Sequence, residues 1–236
     1  MQTIPILVLR LEGLLQSWGE HSKWNYRDSA PMPTKSGVVG MIGCAMGWER
    51  DDERLKTISD NLQMAVRADR PGREIVDFHT VQSREFLNAQ GKHLGKKGEY
   101  YTIITYRTYL QDAFFTVALA GDAQCLREIA DAFLHPKWPV YLGRKSCVPS
   151  RPVLDKITEE YGSLAEAIRA IPFEDSVRRK HSKVENRVLI EMDDTVQEEA
   201  DGSRIERADR IDGARKFRSR TVVRQTMERS EAHDTQ

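Results

Sequence analysis

A chain of 236 residues can bury a sizeable core as one domain or two small ones, and 39% hydrophobic with 31% charged residues is a globular composition on the charged side. Thirty-six Lys and Arg balance 36 Asp and Glu, so the molecule as a whole exerts no pull on a polyanion, and any nucleic-acid role needs a local basic surface. Cys44, Cys125 and Cys147 are widely spaced with no Cys-x-x-Cys pair, and there is no apolar run of the roughly 18 to 20 residues that span a membrane and no signal-peptide pattern; the expectation is a soluble, cytoplasmic, untargeted protein with no disulfide framework, metal site, cofactor or membrane contact.

The run Ile6 to Leu11 is aliphatic and of strand length, and Gly13 stops it. Leu14 to Arg27 mixes aromatics, amides, hydroxyls and cations without a period, as suits a loop that contacts something polar and flat. Pro31 and Pro33 exclude helix until Thr34-Lys35-Ser36, where either hydroxyl serves as a candidate N-cap. Val38, Met41, Ile42 and Ala45 then make one core-facing helical stripe. Gly37, Gly40, Cys44 and Gly47 make a second stripe of small residues; glycine costs about 1 kcal/mol per position against Ala, so close approach of a backbone, from a strand or a ligand, is expected there. Leu55 to Asn61 reads as a short helical or irregular connector, Leu62 to Ala68 as a second strand, and Glu74 to Val81 as a third, with His79 a packed or edge histidine. Gln82 to Gly98 is a polar excursion of turn chemistry, and strands resume at Tyr100 to Leu110 and Ala113 to Ala120. Arg84 to Arg107 is expected to project as a hairpin or loop that interrupts the sheet. Asp122 caps a helix with the stripe Leu126, Ile129, Ala130 and Phe133, followed by a strand at Pro139 to Leu142 and a basic turn, Gly143-Arg144-Lys145-Ser146.

The order strand, helix, strand, strand, helix, strand predicts an α+β, ferredoxin-like fold. The expected division is residues 1–149, with a thumb inserted at about 82–108, and a small β-containing extension over 150–236. In the extension, Leu164, Ala167, Ile168 and Ile171 mark a short helix and Val184 to Met192 a strand, Asp193 to Asp201 reads as a solvated acidic face, and Ser230 to Gln236 as a frayed tail. Arg204 to Arg224 is basic, with Phe217 to Val223 alternating as a strand, and is either solvated surface or a contact for RNA or a partner.

Single-stranded RNA is gripped by phosphate contacts and by stacking of unpaired bases. Lys35 and Ser36 stand at a helix N-terminus, where free N–H groups and the dipole favour a phosphate; they precede the glycines, so the pattern is no P-loop. Trp18, Trp24 and Tyr26 can stack bases, although Trp18, so close to a buried strand, is equally a core anchor. Arg144, Lys145 and Ser146 make a compact phosphate-binding turn. Gln16, Ser17 and Arg27 in the loop and Arg84 and Arg107 at the bounds of the projecting segment complete the candidate RNA-binding set.

The run Leu9-Arg10-Leu11-Glu12-Gly13-Leu14-Leu15-Gln16-Ser17-Trp18-Gly19, with Pro33 to Gly40, resembles the N-terminal signature of the CRISPR-associated CasD family. Tyr141 to Pro149 resembles the family's second signature and Phe217 to Val223 its last strand; Leu14 stands where the family pattern has proline. The resemblance implies an RRM-like fold of the RAMP superfamily and a noncatalytic subunit of the type I-E Cascade complex that holds the 5′ handle of the CRISPR RNA. It also implies contacts with the adjoining backbone subunit and the large subunit, target DNA being met only indirectly, and a thumb laid over the RNA. A related subunit of the type I-C system is a metal-independent endoribonuclease, and Lys92-His93 with Tyr100 or Tyr101 supplies the residue types for such cleavage. They lie in a glycine-rich excursion where side chains are poorly preorganised, and the N-terminal signature has the type I-E form, in which a separate subunit cuts. A ferredoxin-like domain that binds a small molecule would leave the basic excursion and the Gly-Arg-Lys turn unexplained.

Overall fold

The computed structural model describes residues 3–88, 90–96, 98–174, 187–196, 202–213 and 216–229. The first strand, β1 (Ile6–Glu12), is buried along its whole length. Its side chains alternate between two cores, as the strand period requires: Leu7, Leu9 and Leu11 enter one cluster and Ile6 and Val8 the other. Each fully buried aliphatic side chain stabilises the fold by about 1.5–3 kcal/mol, so β1 is the element both cores depend on.

The loop after β1 carries two short strands, β2 (Leu15–Gln16) and β3 (Tyr26–Arg27), and leads into helix α1 (Lys35–Met46). Thr34 is the N-cap, its hydroxyl accepting from Gly37 N, and Gly47 closes the helix in the left-handed region. Val38, Met41, Ile42 and Ala45 are all buried, as their spacing predicts. At Gly37 the close approach expected of the glycine stripe comes from a side chain. A Cβ on Gly37 would come within 2.7 Å of the Trp18 ring, whereas Gly40 has no neighbour within 4 Å. What Gly37 accommodates is a side chain, neither a strand backbone nor a ligand.

Helix α2 (Glu53–Asn61), strand β4 (Gln63–Arg70), the hairpin β5 (Arg73–Ser83) and β6 (Tyr101–Gln111), strand β7 (Phe114–Ala120) and helix α3 (Ala123–Leu134) follow. The paired arms of the hairpin run in unbroken register from Arg73 opposite Gln111 to Ser83 opposite Tyr101, so it is longer than composition alone indicates. With β2 and β3 it forms a separate four-stranded sheet. No strand forms at Pro139–Leu142. Proline lacks a donor, Leu142 N instead donates to Cys147 O at 2.7 Å to close a turn, and the Leu142 side chain is buried in the core.

Strand β8 (Leu154–Thr158) pairs antiparallel with β1. Helix α4 (Leu164–Ala170), β9 (Arg187–Asp193), β10 (Ser203–Gly213) and β11 (Lys216–Glu228) complete the described chain. The main sheet has the order β10-β11-β9-β4-β7-β1-β8, with each neighbouring pair antiparallel. Helices α1 and α3 cover one face and α4 the other. Residues 184–186, much of the acidic stretch after Asp193 and the tail from Ser230 lie outside the described residues. No helix among the described residues is long and apolar enough to cross a membrane.

Candidate nucleic-acid interface

Two loops that follow different strands meet at the edge of the small sheet. The first, between β2 and α1, is drawn closed at its base where Ala30 N donates to Trp18 O at 2.6 Å and Trp18 N to Ser29 Oγ at 2.9 Å. Its interior is organised by the Asp28 carboxylate, which accepts from His21 N at 2.7 Å and from Ser22 Oγ at 2.6 Å. Lys23 N donates to Tyr26 O at 2.7 Å in a tight turn that leaves Trp24 76% exposed at the tip.

The second loop is the turn at 142–147. Gly143 has φ 89°, and a Cβ there would lie 1.7 Å from Ser17 O, so only glycine permits this approach. Ser17 N donates to Leu142 O at 3.1 Å across the same contact. Arg144 then works as a strut. Its guanidinium lies 4.6 Å from the Tyr109 ring centroid and donates to Thr108 O at 3.0 Å, Arg27 O at 2.9 Å and Asp28 O at 3.2 Å.

Between the loops lies a cleft of about 420 Å³. The first loop lines it with Ser17, Gly19, Ser22, Lys23, Trp24 and Arg27, and the turn with Gly143 and Arg144. Lys23, Arg27 and Arg144 form no ion pair with a carboxylate among the described residues, so three cations line one recess without a carboxylate counter-charge. From its rim an aromatic row runs onto the hairpin: Tyr26 stacks on Tyr106 at 5.0 Å and 13°, and Phe78 meets Tyr106 edge-on at 5.6 Å. Placed cations beside exposed aromatic planes suit a ligand with phosphates and unpaired bases.

Ser17, Trp24, Arg27 and Arg144 are thus the predicted residues that the fold brings together. Others serve the interior. Trp18 has no exposed surface and donates from Nε1 to Gln16 Oε1 at 3.1 Å, while Gln16 Nε2 donates to Leu11 O and Ala113 O. Neither side chain can reach a base, and Trp18 is the core anchor. Lys35 is buried, with its Nζ 3.1 Å from Asp193 Oδ2. Its backbone N–H, at the α1 N-terminus, donates to Asp209 Oδ2 at 2.7 Å. The anion expected at that helix end is therefore a carboxylate of the same chain. Ser36 is half-buried against Thr34 Oγ1. Lys145 and Ser146 are exposed but outside the cleft lining. Arg84 stacks on Tyr100 at the far end of the hairpin, and Arg107 donates to Thr105 Oγ1 on it.

The basic stretch of the last hairpin divides: Arg204, Arg210 and Arg218 are solvated surface cations, whereas Arg207, Arg220 and Arg224 are drawn into ion pairs with carboxylates. Arg220 bridges Asp193 and Asp209, and Arg224 and Arg207 share Glu191. Burial alone would lower the Arg220 pKa, but the bonds to Asp209 and Asp193 outweigh it and hold the guanidinium above its ordinary value. Asp193 is likewise buried rather than part of a solvated acidic face. Of the residues types for cleavage, His93 is exposed and pairs through its backbone with Leu87, and no hydrogen bond joins it to Lys92, Tyr100 or Tyr101 among the described residues. No group of His, Cys, Asp and Glu there has the spacing of a metal site. Lys23, Gly19 and Ser22 were missed by residue type; the signal for Lys23 was its place directly before an unburied tryptophan.

The family described as CRISPR-associated protein (Cas_Cas5) matches residues 6–229. The Escherichia coli (strain K12) protein described as CRISPR system Cascade subunit CasD is 37% identical over 159 residues, 62% of this chain and 68% of the relative. A chain from a solved CRISPR RNA-guided surveillance complex is similar with TM-score 0.70 and 31% identity, over 97% of this chain and 92% of that one. A crystal structure of a Cas protein is similar with TM-score 0.66 and 30% identity, over 94% and 95% of the two chains.

Proposed function

Since this chain belongs to the CRISPR-associated Cas_Cas5 family, we propose that it is a noncatalytic, RNA-binding subunit of a type I-E Cascade complex whose cleft grips the 5′ handle of the CRISPR RNA. The observation that carries the reading is the recess itself: Lys23, Arg27 and Arg144 without carboxylate partners among the described residues, beside the exposed ring of Trp24. In a chain of zero net charge, cations left unpaired around a concave site are where a polyanion is held. The order β4-β7-β1-β8, with α1 and α3 on one face, supports the ferredoxin-like, RRM-like reading of the core. The hairpin of β5 and β6 is the thumb, laid over the RNA beside the adjoining backbone subunit. The large subunit is the second protein contact.

The test is co-purification of the full chain with the other Cascade subunits, followed by sequencing of the bound RNA. Recovery of one repeat-derived 5′ segment, protected by this subunit, is the expected result. Recovery of the complex with its RNA intact in the absence of this chain would remove the reading. Purified chain should also leave repeat RNA uncut with or without Mg²⁺; cleavage at one site, abolished by His93→Ala, would establish an endoribonuclease instead.

A further inference from the structure

The tryptophan-bearing wall of the cleft is held by two carboxylates that face opposite ways. Asp28 gathers the loop from within, through His21 N and Ser22 Oγ. Glu20, between the lining residues Gly19 and Ser22, points away from the cleft toward β10. There it accepts from Arg207 NH1 at 2.9 Å and from Ala208 N at 3.0 Å. Arg207 is in turn fixed by Glu191 of β9, through contacts of 2.7 and 2.9 Å from NH2. The Arg207 and Glu20 side chains are 9% and 7% exposed, so this pair is shielded from solvent.

The chain of contacts therefore runs from the main sheet through Glu191 and Arg207 to Glu20 and the wall. Removing the Arg207 cation is felt unequally by its partners: Glu191 keeps Arg224, whereas Glu20 keeps only the Ala208 N–H and has no second cation among the described residues. A shielded carboxylate left with one neutral donor and no counter-charge regains its hydration by moving outward, and the loop moves with it. We infer that Arg207, on a hairpin that contributes nothing to the cleft lining, is the positioning residue that holds the wall of Lys23, Trp24 and Arg27 in its RNA-accepting shape. The inference rests on the reading of the cleft as an RNA site. Burial acts to lower the Arg207 pKa, and the Glu191 and Glu20 carboxylates more than offset it, so the guanidinium keeps its charge.

The experiment compares the full chain with Glu20→Gln, Arg207→Gln and the double variant, by hydrogen exchange and by binding of a fluorescein-labelled single-stranded repeat RNA across a salt series. Glu20→Gln is isosteric and leaves the Arg207–Glu191 pair intact, so it reports even where changes at Arg207 impair folding. The expected result is faster exchange over residues 19–28 with β1 and β7 unchanged, an affinity about tenfold weaker because the wall must be re-ordered on binding, and an unchanged salt slope because no phosphate contact is lost. The double variant should lose no more than either single one. A general structural role would instead speed exchange throughout the sheet. Faster loop exchange with wild-type affinity, or unchanged loop exchange, would overturn the inference. A wild-type chain that binds no RNA would overturn the assignment of function and the RNA half of this inference, while the exchange comparison would still decide whether Arg207 holds the wall.

Discussion

The cleft and the underside of the last hairpin draw on the same residue types and put them to opposite uses. In the cleft, Lys23, Arg27 and Arg144 line a recess without carboxylate partners among the described residues. Under the hairpin, Lys35, Arg207, Arg220 and Arg224 meet Asp193, Asp209, Glu191 and Glu20 in two connected sets of ion pairs. Zero net charge thus conceals a division: part of the basic charge is consumed in holding the fold, and the remainder is concentrated where a polyanion can be met. The lesson is that pairing, rather than abundance, decides whether an arginine is available to a ligand.

The largest expected effects fall on the paired side. Arg220→Ala leaves the buried Asp209 with no cation and only the Lys35 N–H, and the buried Asp193 with Lys35 and the Met64 N–H, and should cost about 3–5 kcal/mol of stability in urea unfolding. Trp18→Ala, which empties a fully buried ring site beside Gly37, should cost a similar amount, about 3–5 kcal/mol. Wild-type unfolding midpoints for both would erase the distinction between the two regions.

On the unpaired side the signs reverse. Trp24→Ala should leave the melting temperature where it is and weaken RNA binding by about 1–3 kcal/mol, measured by fluorescence anisotropy. Lys23→Ala and Arg27→Ala should each flatten the dependence of log affinity on log salt by about 0.7 if each holds one phosphate; slopes identical to wild type would move the RNA off this cleft. The smallest effect concerns the turn that carries Arg144. Burial pushes the Cys147 thiol up, and Cys147 N closes the turn on Arg144 O at 2.8 Å. Native protein at pH 8 should therefore alkylate at Cys147 far more slowly than unfolded chain, and rapid labelling would show that the second wall of the cleft opens freely.

Much of the frame was legible because its signals are local. The run Ile6 to Leu11, the stripe of α1, the cap at Asp122 and the alternation in the hairpin all declare themselves within a few residues. The site was legible by residue type and only partly by position. Trp18, Gln16 and Lys35 have the chemistry of RNA ligands, but their environment is set by groups far away in the chain: Asp193 and Asp209 lie 158 and 174 residues from Lys35. No local pattern announces such a partner. Likewise Pro139 to Leu142 has the look of a strand, and only its approach to Ser17 and Cys147 shows that its backbone groups are used for a turn.

The order of the main sheet bears on how the chain is made. Strand β4 has β7 on one side and β9 on the other, so roughly 120 residues of synthesis separate it from its second neighbour, on the order of ten seconds at ribosomal speed. Throughout that interval the nascent polypeptide carries an open edge at Ala65-Val66-Arg67, ready to pair with any strand that comes by. A message truncated before residue 187 would release that edge permanently, and the product should sediment with inclusion bodies although its core order, β4-β7-β1-β8, is complete.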